Sequence, residues 1–264
     1  MKTLNKFIVE RLFLNKDTKT IQYKYHPRDF DELRSLLKQL LKERGKDADL
    51  NDIDISQVTT FYDKTRSLGL FEDLDPHNID ISKWDVSNVK SMKSMFNACK
   101  NFDCNLSNWD VSNVEDMSWM FHACHNFICK GLKNWNVSNV KNMHSMFERC
   151  EKLNCDLSNW DVSKVENMNS MFFNCEKFTG QGLEKWDVSG VNYMSCMFSY
   201  CKKFNCDLSN WNVSNVEYMD YAFDDCTNFT GQGLEKWDVS NVTNMYCMFD
   251  NCTSLKNKPS WYEE

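Results

Sequence analysis

The sequence predicts an α/β solenoid, a stack of short coils with a helical cap at its N-terminal side, and three observations carry that prediction. Tryptophan recurs at positions 84, 109, 135, 160, 186, 211, 237 and 261, in steps of 25, 26, 25, 26, 25, 26 and 24. Around the first seven sits one pattern, Trp-(Asp/Asn)-Val-Ser-x-Val-x-x-Met-x-x-(Met/Ala)-Phe-x-x-Cys-x-x-(Phe/Leu), as in Trp109, Asp110, Val111, Ser112 and Val114, then Met117, Met120, Phe121, Cys124 and Phe127. The composition is the same fact in bulk: 13 Cys, 14 Met and 9 Trp stand beside 8 Gly and 3 Pro, and of the first three types only Met1, Trp119, Cys196 and Cys247 fall outside the repeated positions. A unit of 25 residues cannot enclose its own core, so neighbours must stack and share one.

Residues 1–49 lie outside the repeat and are expected to cap the first coil. Leu4, Phe7, Ile8 and Leu12 share one side of a helix within residues 1–14, read either as a packed cap or as a targeting or membrane-surface peptide. Thr20 to Tyr25 alternates like an edge strand before Pro27. Asp29 can cap a helix from Phe30 to Arg44 that gathers Phe30, Leu33, Leu36, Leu37, Leu40 and Leu41 on one face and stops at Gly45.

Residues 50–258 form the repeat region. Ile53 to Phe61 is a worn opening copy, with Ile for Trp and Phe for Met, and about seven full coils follow. Within each, Val-x-x-Met-x-x-Met-Phe-x-x-Cys has helical spacing with Ser as N-cap, and Asn-x-x-Leu-Ser-x-Trp-Asp-Val reads as a short strand pairing in parallel with its neighbours. Short links such as Cys104-Asn105-Leu106 alternate with long ones such as Thr179-Gly180-Gln181-Gly182, so the true unit is a pair of coils, 51 residues long. Residues 259–264 form a tail in which Pro259 and Tyr262-Glu263-Glu264 stop further stacking.

The net charge of −7 argues against nucleic-acid binding, which runs on phosphate neutralisation. Residues 1–50 hold 12 basic and 8 acidic residues (+4), leaving 19 and 30 (−11) for the rest, so a partner meets an acidic repeat surface. No apolar run is long enough for a membrane span and no secretory h-region is visible, which places the chain, as written, in the cytoplasm.

Cysteine is the feature that most suggests chemistry. One column holds Cys99, Cys124, Cys150, Cys175, Cys201, Cys226 and Cys252, and a second holds Cys104, Cys129, Cys155 and Cys206. The expectation is a buried ladder of free thiols; disulfides are disfavoured by an odd count without an export signal. One local cluster, His122, Cys124, His125 and Cys129, is the alternative metal reading. The acidic column Asp85, Asp110, Asn136, Asp161, Asp187, Asn212 and Asp238 is expected to accept main-chain N–H groups in its own turns rather than to bind calcium. No phosphate loop and no nucleophile with partners can be named, so no enzyme and no cofactor is expected. Trp84, Trp109, Trp135, Trp160, Trp186, Trp211 and Trp237 belong inside, as a second structural ladder.

Function is then expected at variable, outward positions. Tyr193 and Tyr218 are equivalent on adjacent coils, Tyr200, Tyr221 and Tyr246 lie nearby, and Trp119 shares the position of Tyr221. Such aromatics suit contact with a protein or a glycan; the alternative is that some turn inward.

Segments such as Trp160-Asp161-Val162-Ser163-Lys164-Val165-Glu166-Asn167-Met168-Asn169-Ser170-Met171-Phe172-Phe173-Asn174-Cys175 resemble the repeat of BspA-type leucine-rich-repeat surface proteins. The resemblance covers about residues 50–258. It implies a right-handed leucine-rich-repeat-like solenoid, strand rather than helix at Val-x-x-Met, a helical turn at Met-Phe-x-x-Cys, a cell or virion surface location, and adhesion or partner binding. A structural component of a virion or surface assembly and a metal-binding protein are the competing functions.

Overall fold

A computed structural model describes residues 23–263. The first element is helix α1, Phe30–Arg44, and local chemistry sets both its ends. The Asp29 carboxylate accepts the Glu32 N–H at 2.9 Å, acidic residues fill the first turn and basic ones the last, and Gly45 leaves the helix at φ 87°. Phe30, Leu33, Leu36, Leu37, Leu40 and Leu41 are buried in the core that the repeats continue. The expected helix within residues 1–14 and Thr20 to Gln22 of the expected strand lie outside the described residues. Tyr25 pairs in parallel with Ile53, Lys24 N–H donating to Asp52 O at 2.8 Å and Asp54 N–H to Tyr25 O at 2.8 Å.

Arg34 breaks the apolar face of α1. It is 5% exposed, and its guanidinium donates to Gly69 O and Leu70 O at 2.6 Å and to Glu72 O at 2.7 Å. Phe71 stacks on Phe96 as each later repeat Phe stacks on the next, so Leu70 and Glu72 stand where later copies take hydrogen bonds from the copy before. Among the described residues no copy precedes this one, and Arg34 supplies the donors instead. A small antiparallel hairpin, β1 Tyr62–Asp63 and β2 Leu68–Gly69, interrupts the opening copy.

From Thr60 onward the copies lie side by side in one register. Parallel bridges run Thr60, Ser91, Asp116, Asn142, Asn167, Tyr193, Tyr218, Asn244, one residue per copy, each just before the first Met or its equivalent. From that point main-chain N–H groups at alternate residues donate to the next copy, as Met92 to Asp116 O, Ser94 to Ser118 O, Phe96 to Met120 O and Ala98 to His122 O, all at 2.8–2.9 Å. The residues between close local turns, Met95 N–H to Met92 O and Cys99 N–H to Phe96 O.

This corrects two expectations. Met-x-x-Met-Phe-x-x-Cys is not helical: it is a chain of tight turns in which two residues per copy take left-handed φ, Ser94 (53°) and Ala98 (59°) in the first copy. Turns repeating every four residues send the same side chains inward as a helix would, which is why the apolar spacing misled. The Leu-Ser-x-Trp-Asp-Val segment is not a strand either; the parallel bridges lie at the Val-x-x-Met segment. Helical turns occur instead in the long links, as single 3-10 turns at Leu132–Asn134, Leu183–Lys185 and Leu234–Lys236. Each follows a glycine at φ 91–94°, where a Cβ would run into the main chain of a serine in the copy before.

Three side-chain ladders fill the interior. The tryptophan ladder is buried at Trp84, Trp109, Trp135, Trp160, Trp186, Trp211 and Trp237. Every repeat Trp, from Trp84 to Trp261, donates its indole N–H to the main chain of the preceding copy: Trp135 to Leu106 O at 3.1 Å, Trp160 to Leu132 O at 2.8 Å, Trp186 to Leu157 O at 3.1 Å and Trp211 to Leu183 O at 2.8 Å among them. The rings also pair along the stack. Trp109 lies on Trp135, Trp160 on Trp186 and Trp211 on Trp237, at 6.3–6.4 Å and within 3° of parallel, so each pair joins a short-link copy to the long-link copy after it. The repeat Phe rings stack at 5.3–5.7 Å from Phe71 to Phe249. Each thiol of the first cysteine column, Cys99 to Cys252, points at the carbonyl of the previous repeat Phe, at 2.9–3.5 Å.

Candidate functional site

With the ladders committed to the interior, the parallel register carries outward residues of successive copies to one face. Exposed large apolar side chains are few among the described residues: Tyr193 (40%), Tyr200 (39%), Tyr218 (38%), Tyr246 (66%) and Ile128. Four of the five are tyrosines of the three C-terminal copies.

Tyr193 and Tyr218 are consecutive bridge residues, so their rings stand 5.7 Å apart and within 14° of parallel. Each ring turns one face to the other. Tyr221 and Tyr246 meet edge to face at 5.6 Å, as do Phe173 and Tyr200. The surrounding charge is acidic. Asp220 accepts from the Ser195 hydroxyl at 2.6 Å, and Asp224, 9% exposed, accepts from Ser199 at 3.2 Å. Burial, with Asp225 and Asp250 beside it, raises the pKa of the Asp224 carboxyl. Arg149 lines the hollow with Phe173, Asn174 and Tyr200.

Trp119 does not join this face. It is half-buried four copies from Tyr221, its ring between His122 (4.7 Å) and His144 (5.2 Å). Phe173 was missed by sequence reasoning although a signal existed: its column otherwise reads Asn97, His122, Glu148, Ser199, Asp224 and Asp250, all polar.

The structure does not gather His122, Cys124, His125 and Cys129 around a common point. His122 engages Asn97 at 2.7 Å and Glu148 at 3.6 Å, His125 pairs with Glu151 at 2.9 Å, and Cys124 points at Phe96 O at 3.1 Å. Cys129 forms a disulfide with Cys155, Cα to Cα 6.2 Å. That corrects the expectation of an all-thiol ladder: the two sit on adjacent copies of the second column, and stacked positions come close enough to join. Among the described residues no group of three or more His, Cys, Asp or Glu is placed to hold a metal ion. Burial raises the pKa of the remaining column thiols, Cys252 to about 12 and the innermost further. Each member of the acidic column accepts the N–H of the serine two residues on, at 3.0–3.2 Å. The same serine, through its hydroxyl and then its N–H, holds the Asp110, Asp161 and Asp238 carboxyls below their usual range.

No helix among the described residues is long and apolar enough to cross a membrane. No match is found among curated proteins. The family described as "Mycoplasma protein of unknown function, DUF285" matches in three overlapping stretches, residues 35–154, 110–182 and 174–263. Those stretches run from within α1 through every copy of the repeat, and the chain belongs to that DUF285 repeat family.

Proposed function

We propose that the stacked copies make a right-handed leucine-rich-repeat-like solenoid of BspA type, a non-enzymatic scaffold that binds a protein partner through the tyrosine face. The observation that carries this reading is the concentration of exposed aromatic surface, Tyr193, Tyr200, Tyr218 and Tyr246, on three adjacent copies. Solitary exposed aromatics need no explanation; several on adjacent copies of one frame, among acidic side chains, suit a hot spot. A protein is favoured over a glycan because each ring of the stacked pair has one face turned to the other, whereas a sugar packs on a ring face. Contact rather than turnover fits the remaining chemistry, since the column thiols are buried and the column carboxylates are turned into their own loops.

The test compares the chain with a Tyr193→Ala/Tyr218→Ala variant of matched circular dichroism and melting temperature, in affinity capture and on a glycan array. A protein held by the first and lost by the second is expected. Equal capture by both removes the tyrosine face from the function, and binding confined to the array reassigns it to a glycan.

A further inference from the structure

The copies after Arg66 contain one arginine, Arg149, and it stands in the middle of the stack with full copies on both sides. Every other described arginine is engaged: Arg28 with Glu32, Arg34 with three main-chain oxygens, Arg44 with Asp52 at 2.8 Å, and Arg66 with Asp31 and Asp63. The Arg149 side chain is exposed and makes no hydrogen bond or ion pair among the described residues. Its acidic neighbours face elsewhere, Glu148 towards His122 at 3.6 Å and Glu151 towards His125 at 2.9 Å.

Folding does not account for this residue. Its column reads Ala98, Ala123, Arg149, Asn174, Tyr200, Asp225 and Asn251, all at left-handed φ of 55–62°. Ala, Asn and Asp hold the same turn in the other copies, and Asn and Asp tolerate that conformation best. The two long side chains of the column, Arg149 and Tyr200, line one hollow of about 290 Å³, with Asn174, the residue between them in the column. Phe173, the one apolar residue of its own column, joins them edge to face with Tyr200 at 5.6 Å. His125 and Glu151 complete the lining as a pair. The Asn174 amide and the Tyr200 hydroxyl have no hydrogen-bond partner among the described residues either.

These donors fix the chemistry of an occupant. A guanidinium, an amide and a phenol together suit a carboxylate, which can take two parallel N–H bonds from one arginine. An ammonium would meet like charge, and an apolar group would leave the guanidinium without a counter-charge. A phosphate dianion fits less well, because one arginine neutralises one charge and the chain from residue 51 onward carries 19 basic and 30 acidic residues. The same surface repels a run of acids, so the occupant is a single carboxylate in a segment otherwise neutral or basic.

We propose that the hollow receives one acidic side chain of the protein that binds the tyrosine face, Arg149 taking its carboxylate while Phe173 and Tyr200 pack on its methylene stem. The proposal rests on that face being the contact surface, which Tyr200 shares, and adds what a matching partner must carry.

The probe is the blocked tripeptide acetyl-Ala-Glu-Ala-amide, titrated to about 10 mM into the full chain while the side-chain N–H signals of Arg149 and Asn174 are followed by NMR. Both are expected to shift and to saturate with a Kd of about 1 mM. The same peptide with Gln for Glu is expected to bind about tenfold more weakly. Arg149→Ala installs the residue that Ala98 and Ala123 supply at the same turn, so it is expected to fold, and the Asn174 signal to report a loss of about tenfold. Tyr193→Ala/Tyr218→Ala alters no lining residue and is expected to titrate like the parent chain, so this site and the wider face fail separately. No shift at about 10 mM, equal response to the Glu and Gln peptides, unchanged binding by Arg149→Ala, or tighter binding of the phosphoserine peptide overturns the proposal. So does loss of the shift in the Tyr193→Ala/Tyr218→Ala chain, which would place the peptide elsewhere.

Discussion

The indole nitrogen of Trp160 donates to the main-chain oxygen of Leu132 at 2.8 Å, reaching from its own copy into the one before. All eight repeat tryptophans make the equivalent bond, so the residue is needed for its donor as well as for its area. Trp160→Phe keeps an aromatic ring and removes one of the two hydrogen bonds to the Leu132 carbonyl, which still accepts from the Trp135 N–H at 3.0 Å. The expected loss is about 0.5–1.5 kcal/mol for the hydrogen bond alone, read by urea denaturation. A loss within a few tenths of a kcal/mol would show that packing alone sustains the ladder.

The thiols yield to counting. Cys196 and Cys247 are partly exposed and the other nine free cysteines buried, so these two are expected to react first with a thiol reagent. Burial raises the Cys196 thiol to about 11, so even these react more slowly at pH 8 than free cysteine. Unfolding without reductant is expected to release eleven thiols and with reductant thirteen, the difference being Cys129–Cys155. Thirteen without reductant would remove the disulfide.

Arg34 stands in for an absent copy. Arg34→Met keeps much of the stem and strips Leu70 O and Glu72 O of their donors. Hydrogen bonds from a charged group, with the desolvation left behind, make this about 3 kcal/mol. Exchange should rise most in residues 69–72, and uniform loosening along the chain would argue against a capping role.

Asp224 gives a pH signature. Its folded pKa lies above the ordinary carboxylate value because the group is buried. The protonated acid therefore favours folding at low pH, and that benefit fades as pH rises through the folded value. Asp224→Asn, which still accepts from Ser199, is expected to raise the melting temperature at pH 7 and to leave it unchanged near pH 3. A lower melting temperature at pH 7 would mean that the charge is held by a favourable contact.

What could be read in advance followed the range of the interactions. Asp29 and Gly45 mark the ends of α1 through bonds within a few residues. The Trp, Phe and Cys columns are visible because repetition prints a long-range contact into the sequence seven times. The turns at Met92 to Cys99 were hidden because non-glycine residues such as Ser94, Trp119 and Arg149 take left-handed φ there, a conformation that the stack imposes against local preference. Arg34 was hidden for the opposite reason: its contact occurs once, so no column reports it. Of the tyrosine face, the equivalence of Tyr193 and Tyr218 could be read from spacing, but not the stacking of their rings.

The alternation of short and long links has a consequence for how such a chain changes length. Gly182 and Gly233 of the long links each lie against a serine of a short-link copy, at Ser158 and Ser209, and the short-link copies have no such glycine to offer in return. Losing a single copy brings two links of the same kind together and sets a mismatched seam. Losing 51 residues leaves every remaining surface facing the kind of neighbour it already had. Descendants of this sequence can therefore be expected to gain or shed their copies two at a time.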